Sequence, residues 1–243
     1  LAAPAHPAGI ALASGLGDVI LHAMHTLRAL VFDFDGLILD TESSMIGAYA
    51  DVHAAHGVPF DRDHFLRSVG HVDFSFDPWR AFEKRADRAA LEAKRREMNR
   101  ERDKGLEILP GVVALMDEAR GAGILLGVAS NSSHAHVEGH LGRLGLLDRF
   151  SFLACREDVA SPKPEPDVYR LVLNRFGIIG REAVAFEDSN IGTRAARRAG
   201  MWVVAVPNTS TVHHDFPNAH LRLASLADTN LADLQARCAA GFR

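Results

Sequence analysis

Four short stretches hold side chains that could do chemistry together. VFDFDGLILDTE, residues 31–42, closes an apolar run on Asp33 and Asp35 and adds Asp40 and Glu42 a few residues later. ASNSS brings Ser130 and Asn131, SPKPEPDVY brings Lys163, and FEDSN brings Glu187 and Asp188. Carboxylates crowded together repel and push one another's pKa up, so the cluster needs a counterion. A hard divalent cation meets that need, and Mg²⁺ takes one or two carboxylates together with waters and a substrate phosphate. Lys163 beside such a metal implies an anionic substrate. Ser130 and Asn131 offer a hydroxyl and backbone N–H groups near a helix start, equipment suited to phosphate oxygens. The residue types point to phosphoryl transfer.

Such chemistry needs elements that bring distant residues to one place. LRALVFDF, from Leu27, is a continuous apolar run of the kind found in strands buried on both faces of a parallel sheet. GILLGVASN (123–131), FSFLAC (150–155), AVAFED (183–188) and MWVVAVPN (201–208) share that character. Between them PGVVALMDEARGAG, HAHVEGHLGRLGL, PDVYRLVLNRFG and NIGTRAARRAG read as helices, with Pro opening the first and Gly closing three of them. The alternation predicts an α/β fold with a Rossmann-like parallel sheet core. In an open parallel sheet ligands bind beyond the carboxyl ends of the strands, where the reactive residues fall. Between Glu42 and Leu109 no buried strand is legible. SMIGAYADVHAAHG, DRDHFLRS and the long PWRAFEKRADRAALEAKRREMNRERDKG are helical patterns, so an all-helical insertion is expected after the first strand. The Ala-, Pro- and Gly-rich residues 1–26 read as a flexible extension with a helical turn near Val19 to His25.

Composition narrows the function classes. A net charge of -4 and a pI near 6.4 give no reason to expect nucleic acid, and in the charged run from Arg80 to Lys104 acids interleave with the bases, as on a solvated helix face. The chain has no run of about 18 apolar residues, and the segment from Ile10 to Leu30 is interrupted by Gly15, Gly17 and Asp18 and lacks a basic leader. A cytoplasmic protein without membrane contact is expected. Cys155 and Cys238 are too few for a disulfide framework and read as reduced, buried thiols.

DFDGLILDTE, ASNSS, SPKPEPDVY and FEDSNIG stand in the order and with the spacing of four motifs of one family, from Leu30 to about Pro207. The sequence resembles the haloacid dehalogenase superfamily, in its phosphatase branch with a helical cap domain inserted after the first strand. That resemblance implies a core of residues 27–41 and 106–243 and a cap of residues 42–105. It implies that Asp33 is the nucleophile that forms an aspartyl-phosphate, and that Asp35 protonates the leaving oxygen and later activates water. Mg²⁺ would be held by Asp33, the Asp35 carbonyl and Asp188, with Glu187 acting directly or through water. Ser130 would bind the transferring phosphoryl group, with Asn131 beside it, and Lys163 would fix the nucleophile and screen charge. Gly36 would allow a sharp turn. Asp40 reads as a cap of the turn or linker and Glu42 as a helix start, and neither is assigned to chemistry. Substrate choice would fall to the stretch from Ser68 to Arg80, with Gly70, His71 and Asp73 as candidates.

Other readings are weaker. An EF-hand loop would place its glycine later and would not follow an apolar strand. Lys163 alone would read as a solvated loop lysine. Dehalogenation attacks carbon and needs neither a second aspartate nor a metal, whereas Asp35, Glu187 and Asp188 are all present. A β-phosphoglucomutase-like sugar-phosphate mutase is the main alternative, but Met45 stands where those mutases resemble one another in carrying a histidine. A silent binding protein would be expected to lack one of Asp33, Asp35 or Asp188. His134, His136, His213 and His214 show no metal-site spacing and read as surface or supporting residues, and Trp79 and Trp202 as packing ones. A phosphatase acting on a small phosphorylated metabolite, such as a sugar or polyol phosphate, is the expectation.

Overall fold

A strand buried on both faces must feed two cores, and Ala29–Phe32 does so: Leu30 and Phe32 enter one apolar cluster, Ala29 and Val31 the other. This strand, β1, lies in the computed structural model of the protein, which describes residues 27–68, 77–82 and 86–241. With β2 (Leu125–Ala129), β3 (Phe152–Ala154), β4 (Ala183–Glu187), β5 (Trp202–Ala205) and β6 (Leu221–Arg222) it forms a six-stranded sheet of order β3-β2-β1-β4-β5-β6. Every pairing is parallel, as the alternating pattern predicts. β6 was not anticipated. Its two residues carry no periodicity and are a strand only because they pair with Val204 and Ala205.

The helices, in chain order, are α1 (Thr41–Ala55), α2 (Arg62–Ser68), α3 (Arg88–Asp103), α4 (Val112–Gly121), α5 (His134–Arg143), α6 (Asp167–Phe176), α7 (Asn190–Arg198) and α8 (Leu231–Gly241). α4, α5 and α8 cover the face with the larger side chains, Leu30, Phe32, Val184 and Phe186. α6 and α7 cover the other, where Ala29, Ala183 and Ala185 meet Ala195 and Ala196. Small residues on both sides let α7 approach the sheet closely, while each buried Phe or Leu on the opposite face contributes about 1.5–3 kcal/mol.

α1, α2 and α3 form the insertion between β1 and α4. It has a small core of its own, in which Val52, Val58, Trp79, Phe82 and Leu91 are buried together. The long helical pattern from Pro78 to Gly105 is not one helix. A 3₁₀ turn spans Arg80–Phe82, and α3 starts only after Asp87, whose side chain accepts from the Ala89 N–H at 3.2 Å as an N-cap. The entering and leaving chains are tied together: Ser44 Oγ donates to Asp103 Oδ1 at 2.5 Å, and Leu109 N–H donates to Ile38 O at 2.9 Å. The expected extension over residues 1–26 and the candidates Gly70, His71 and Asp73 lie outside the described residues. Among the described residues no helix is long and apolar enough to cross a membrane.

Candidate active site

Because the strands are parallel, their carboxyl ends share one edge, and main-chain hydrogen bonding continues a step past them. Asp33 N–H donates to Phe186 O at 2.9 Å, Ser130 N–H to Ala154 O at 2.9 Å, and Val206 N–H to Glu187 O at 2.7 Å. The sheet itself therefore positions Asp33, Ser130 and the Glu187–Asp188 pair. Lys163 comes from the loop before α6. Asn131 grips that loop, its Oδ1 accepting from Lys163 N–H at 2.8 Å and its Nδ2 donating to Lys163 O at 3.3 Å. The Asn131 amide thus faces the Lys163 loop, with one of its two N–H groups engaged there. The Lys163–Pro164 peptide is cis.

Lys163 Nζ lies 2.8 Å from Asp33 Oδ1 and 2.6 Å from Glu187 Oε1. Tyr169 donates its hydroxyl to the same Glu187 oxygen, and Ser189 Oγ reaches the other at 3.2 Å. All three charged groups are buried, and Asp188 beside them is 2% exposed. Burial, with the charges of Glu187 and Asp35 adding to it against Lys163, pushes the Asp33 carboxyl up to about 8. Burial also raises Asp188 well above the usual carboxylate range, helped by Glu42, Asp33 and Glu187. Lys163 feels burial too, but Asp33 and Glu187 outweigh it and hold its ammonium above the ordinary range.

A cation suits this cluster. Ligand oxygens of Asp33, Glu187 and Asp188 lie within 4.8 Å of one another, and one lysine does not neutralise three acids. Among the described residues, Asp33 Oδ2 and Asp188 Oδ1 accept no side-chain hydrogen bond, whereas both Glu187 oxygens do. The donor set fits a hard ion such as Mg²⁺, with Asp33 and Asp188 offering the free oxygens.

Asp35 has a different setting. Its Oδ1 accepts from Thr41 Oγ1 at 2.6 Å and His136 Nε2 at 2.8 Å, and its Oδ2 from Ser132 Oγ at 2.5 Å. Burial would raise its pKa, but His136, Ser132 and Thr41 together hold the carboxyl below its ordinary value. His136 is lowered by burial and raised more strongly by Asp35, the net effect being upward. Thr41 and Ser132 were not singled out from the sequence, and His136, read there as a surface or supporting residue, supports Asp35. Ser132 lies inside ASNSS, where it could have been flagged, but nothing in the spacing links His136 to an aspartate 101 residues away.

The model of the family described as haloacid dehalogenase-like hydrolase matches residues 30–206, most of the chain. The protein belongs to that family. YhcW of Bacillus subtilis, a candidate phosphatase by name, is 36% identical over 210 residues, which is 85% of this chain and 95% of the relative. Hexitol phosphatase B of Escherichia coli is 31% identical over 214 residues, covering 86% and 96% of the two chains. The crystal structure of CbbY from Rhodobacter sphaeroides in complex with phosphate superposes with a TM-score of 0.69 at 30% identity, over 86% of this chain and 99% of the other.

In this haloacid dehalogenase-like hydrolase, a cavity of about 470 Å³ opens beside Asp35, between the sheet edge and α3. Its wall includes Ser132 and His136 from below, and Glu42, Met45 and residues of α3 from the insertion. Asp40 caps α1, accepting from Ser43 N–H at 3.0 Å. Glu42 does more than begin the helix. Its Oε2 accepts at 3.0 Å from Asn208 Nδ2, which also lies 2.8 Å from Asp188 Oδ2, and burial pushes the Glu42 carboxyl up to about 7. Gly36 has φ 77°, and a Cβ there would overlap Asp188 Oδ2 and Asn208 Nδ2.

Proposed function

We propose that the protein is a Mg²⁺-dependent phosphatase that hydrolyses a small phosphorylated carbohydrate through an aspartyl-phosphate on Asp33, in a cytoplasmic setting. The observation that carries this reading is the separation of two nearby aspartates into different environments. Asp33 is buried against Lys163 and the acid cluster, while Asp35 sits at the cavity wall with hydrogen-bond donors around it. Asp33 attacks phosphorus, the bond to the leaving oxygen breaks, and Asp35 in its protonated form gives that oxygen a proton. Asp35 then takes a proton from water, whose oxygen attacks phosphorus and releases Asp33 and inorganic phosphate. Ser130 and the backbone N–H of Asn131 hold phosphoryl oxygens, and Lys163 keeps Asp33 in place. A bound divalent ion, held by Asp33, Asp188 and the Asp35 carbonyl, would screen the acids and polarise the phosphoryl group. The name of hexitol phosphatase B supports the substrate class, and the phosphate complex of CbbY supports a phosphate-binding site.

The test is a phosphate-release screen over sugar and polyol phosphates, with and without chelator, alongside Asp33→Asn. Chelator is expected to abolish release, and Asp33→Asn to reduce hydrolysis of p-nitrophenyl phosphate to background. Asp35→Asn should lose roughly 10²- to 10⁴-fold in kcat. Unchanged turnover by Asp33→Asn would remove the nucleophile assignment. Interconversion of hexose 1- and 6-phosphates without net phosphate release would replace hydrolysis with mutase chemistry.

A further inference from the structure

The cations of α3 are of two kinds. Arg88 pairs with Asp77 at 3.0 Å, Lys94 with Glu97 at 3.0 Å, Arg95 with Glu92 at 2.9 Å and Arg102 with Asp51 at 2.8 Å. Among the described residues Arg96 and Arg100 have no carboxylate partner, and both line the cavity whose wall also holds Asp35, Ser132 and His136. Four residues apart, they stand one above the other on one helix face, where like charges repel. The reading of this run as a solvated, self-paired face holds for its other cations and fails for these two. Between them Asn99, also a cavity-lining residue, gives its Nδ2 to Asp103 Oδ2 at 2.7 Å, and its Oδ1 is buried with no partner among the described residues. An orphaned acceptor beside two unneutralised guanidinium groups is the arrangement of a site that awaits a ligand.

We propose that Arg96 and Arg100 form a second anion subsite, and that the leaving part of the substrate carries a second anionic group, a phosphate or a carboxylate. The inference rests on the phosphatase reading above for the placement of the first phosphate. With that phosphate at Asp33 and Lys163, the leaving oxygen lies at Asp35 and the remainder of the substrate extends into the cavity toward α3. A dianion there relieves the repulsion between the two arginines, and the planar fork of guanidinium donors matches phosphate or carboxylate oxygens. The volume, about 470 Å³, is that of a small-metabolite site.

The proposal is tested by binding, independently of turnover. Asp33→Asn protein in Mg²⁺-containing buffer is titrated calorimetrically with fructose 6-phosphate, fructose 1,6-bisphosphate and 6-phosphogluconate. At least one of the two doubly anionic ligands is expected to bind tenfold or more tightly than fructose 6-phosphate, and which one does so distinguishes phosphate from carboxylate. Adding Arg96→Gln and Arg100→Gln should bring the affinities within about twofold of each other, while Arg96→Lys with Arg100→Lys, which keeps the charges but loses the planar forks, should keep only part of the difference. Equal affinities in the parent, no detectable binding, or a preference that survives the double Gln variant would overturn it. Absence of phosphate release by the unaltered enzyme would instead count against the phosphatase reading, leaving the binding result to be judged separately.

Discussion

Asp35 receives three hydrogen bonds, from Thr41, Ser132 and His136, and they stabilise its ionised form. In its proposed role as general acid Asp35 must carry a proton at the moment the leaving oxygen departs, so the strength of this clamp would set how readily the group works. Removing His136 takes away the largest influence opposing burial, and the Asp35 pKa should therefore rise. For His136→Gln the alkaline limb of the kcat/KM profile, where a general acid loses its proton, is expected to move to higher pH. kcat on alkyl phosphates should fall by about 10- to 100-fold, with a smaller loss on p-nitrophenyl phosphate, whose leaving group needs little protonation. Equal losses on both substrate types, with the limb unmoved, would reduce His136 to a packing residue. The acids, Ser130 and Lys163 were legible in sequence because strand ends concentrate chemistry in short motifs. His136, Glu42 and Asn208 were not, because only the fold brings them to Asp35 and Asp188.

At the scale of elements, α7 shows how packing serves the site. Gly192, in its first turn, lies against the buried Glu187 carboxylate, and a Cβ there would overlap both oxygens. Gly192→Ala must push the helix or Glu187 aside, with a destabilisation of about 1–3 kcal/mol expected from overpacking. Urea unfolding measures it, and an unchanged midpoint would show that the helix has room. Glu187 also fixes Lys163, so hydrolysis should weaken in the same variant. Of the helices around the sheet, α4, α6 and α7 could be read from their glycine stops and α5 from its apolar spacing, and five strands from their apolar runs, whereas α8 was not read from the sequence. β6 is too short to carry a pattern. The break before α3 was hidden in a run of good helix formers, although Asp87 was the visible cap.

For the molecule as a whole, the buried acids couple folding to pH and metal. An aspartate whose pKa rises from 3.8 when unfolded to about 8 when folded keeps a proton in the native state that the unfolded chain has already lost. The stability it contributes is complete below the unfolded value and is lost as pH rises through about 8. Metal-stripped protein is therefore expected to melt at lower temperature at pH 9 than at pH 6. Mg²⁺, proposed to bind the ionised acids of the folded form, should raise Tm more at pH 9 than at pH 6. Thermal scans with and without chelator measure both effects, and a larger Mg²⁺ shift at the acidic end would contradict this account of the site.

The tie at the base of the insertion has a consequence for how the protein can change. The chain departs after β1 and returns where Leu39 bridges Ile108 and Leu109 bonds to Ile38, so the sheet meets the whole excursion as a closed loop. Closing a longer loop costs only about 0.6 kcal/mol for each doubling of its length. The length and contents of the excursion are nearly invisible to strand register. Replacing residues 43–104 with a short flexible linker should leave cooperative unfolding of the sheet and its circular dichroism in place while removing Arg96 and Arg100; loss of cooperativity would show that the sheet depends on the insertion. On that outcome the surface proposed to meet the substrate could be exchanged while the residues proposed to break the phosphate bond keep their places on the sheet.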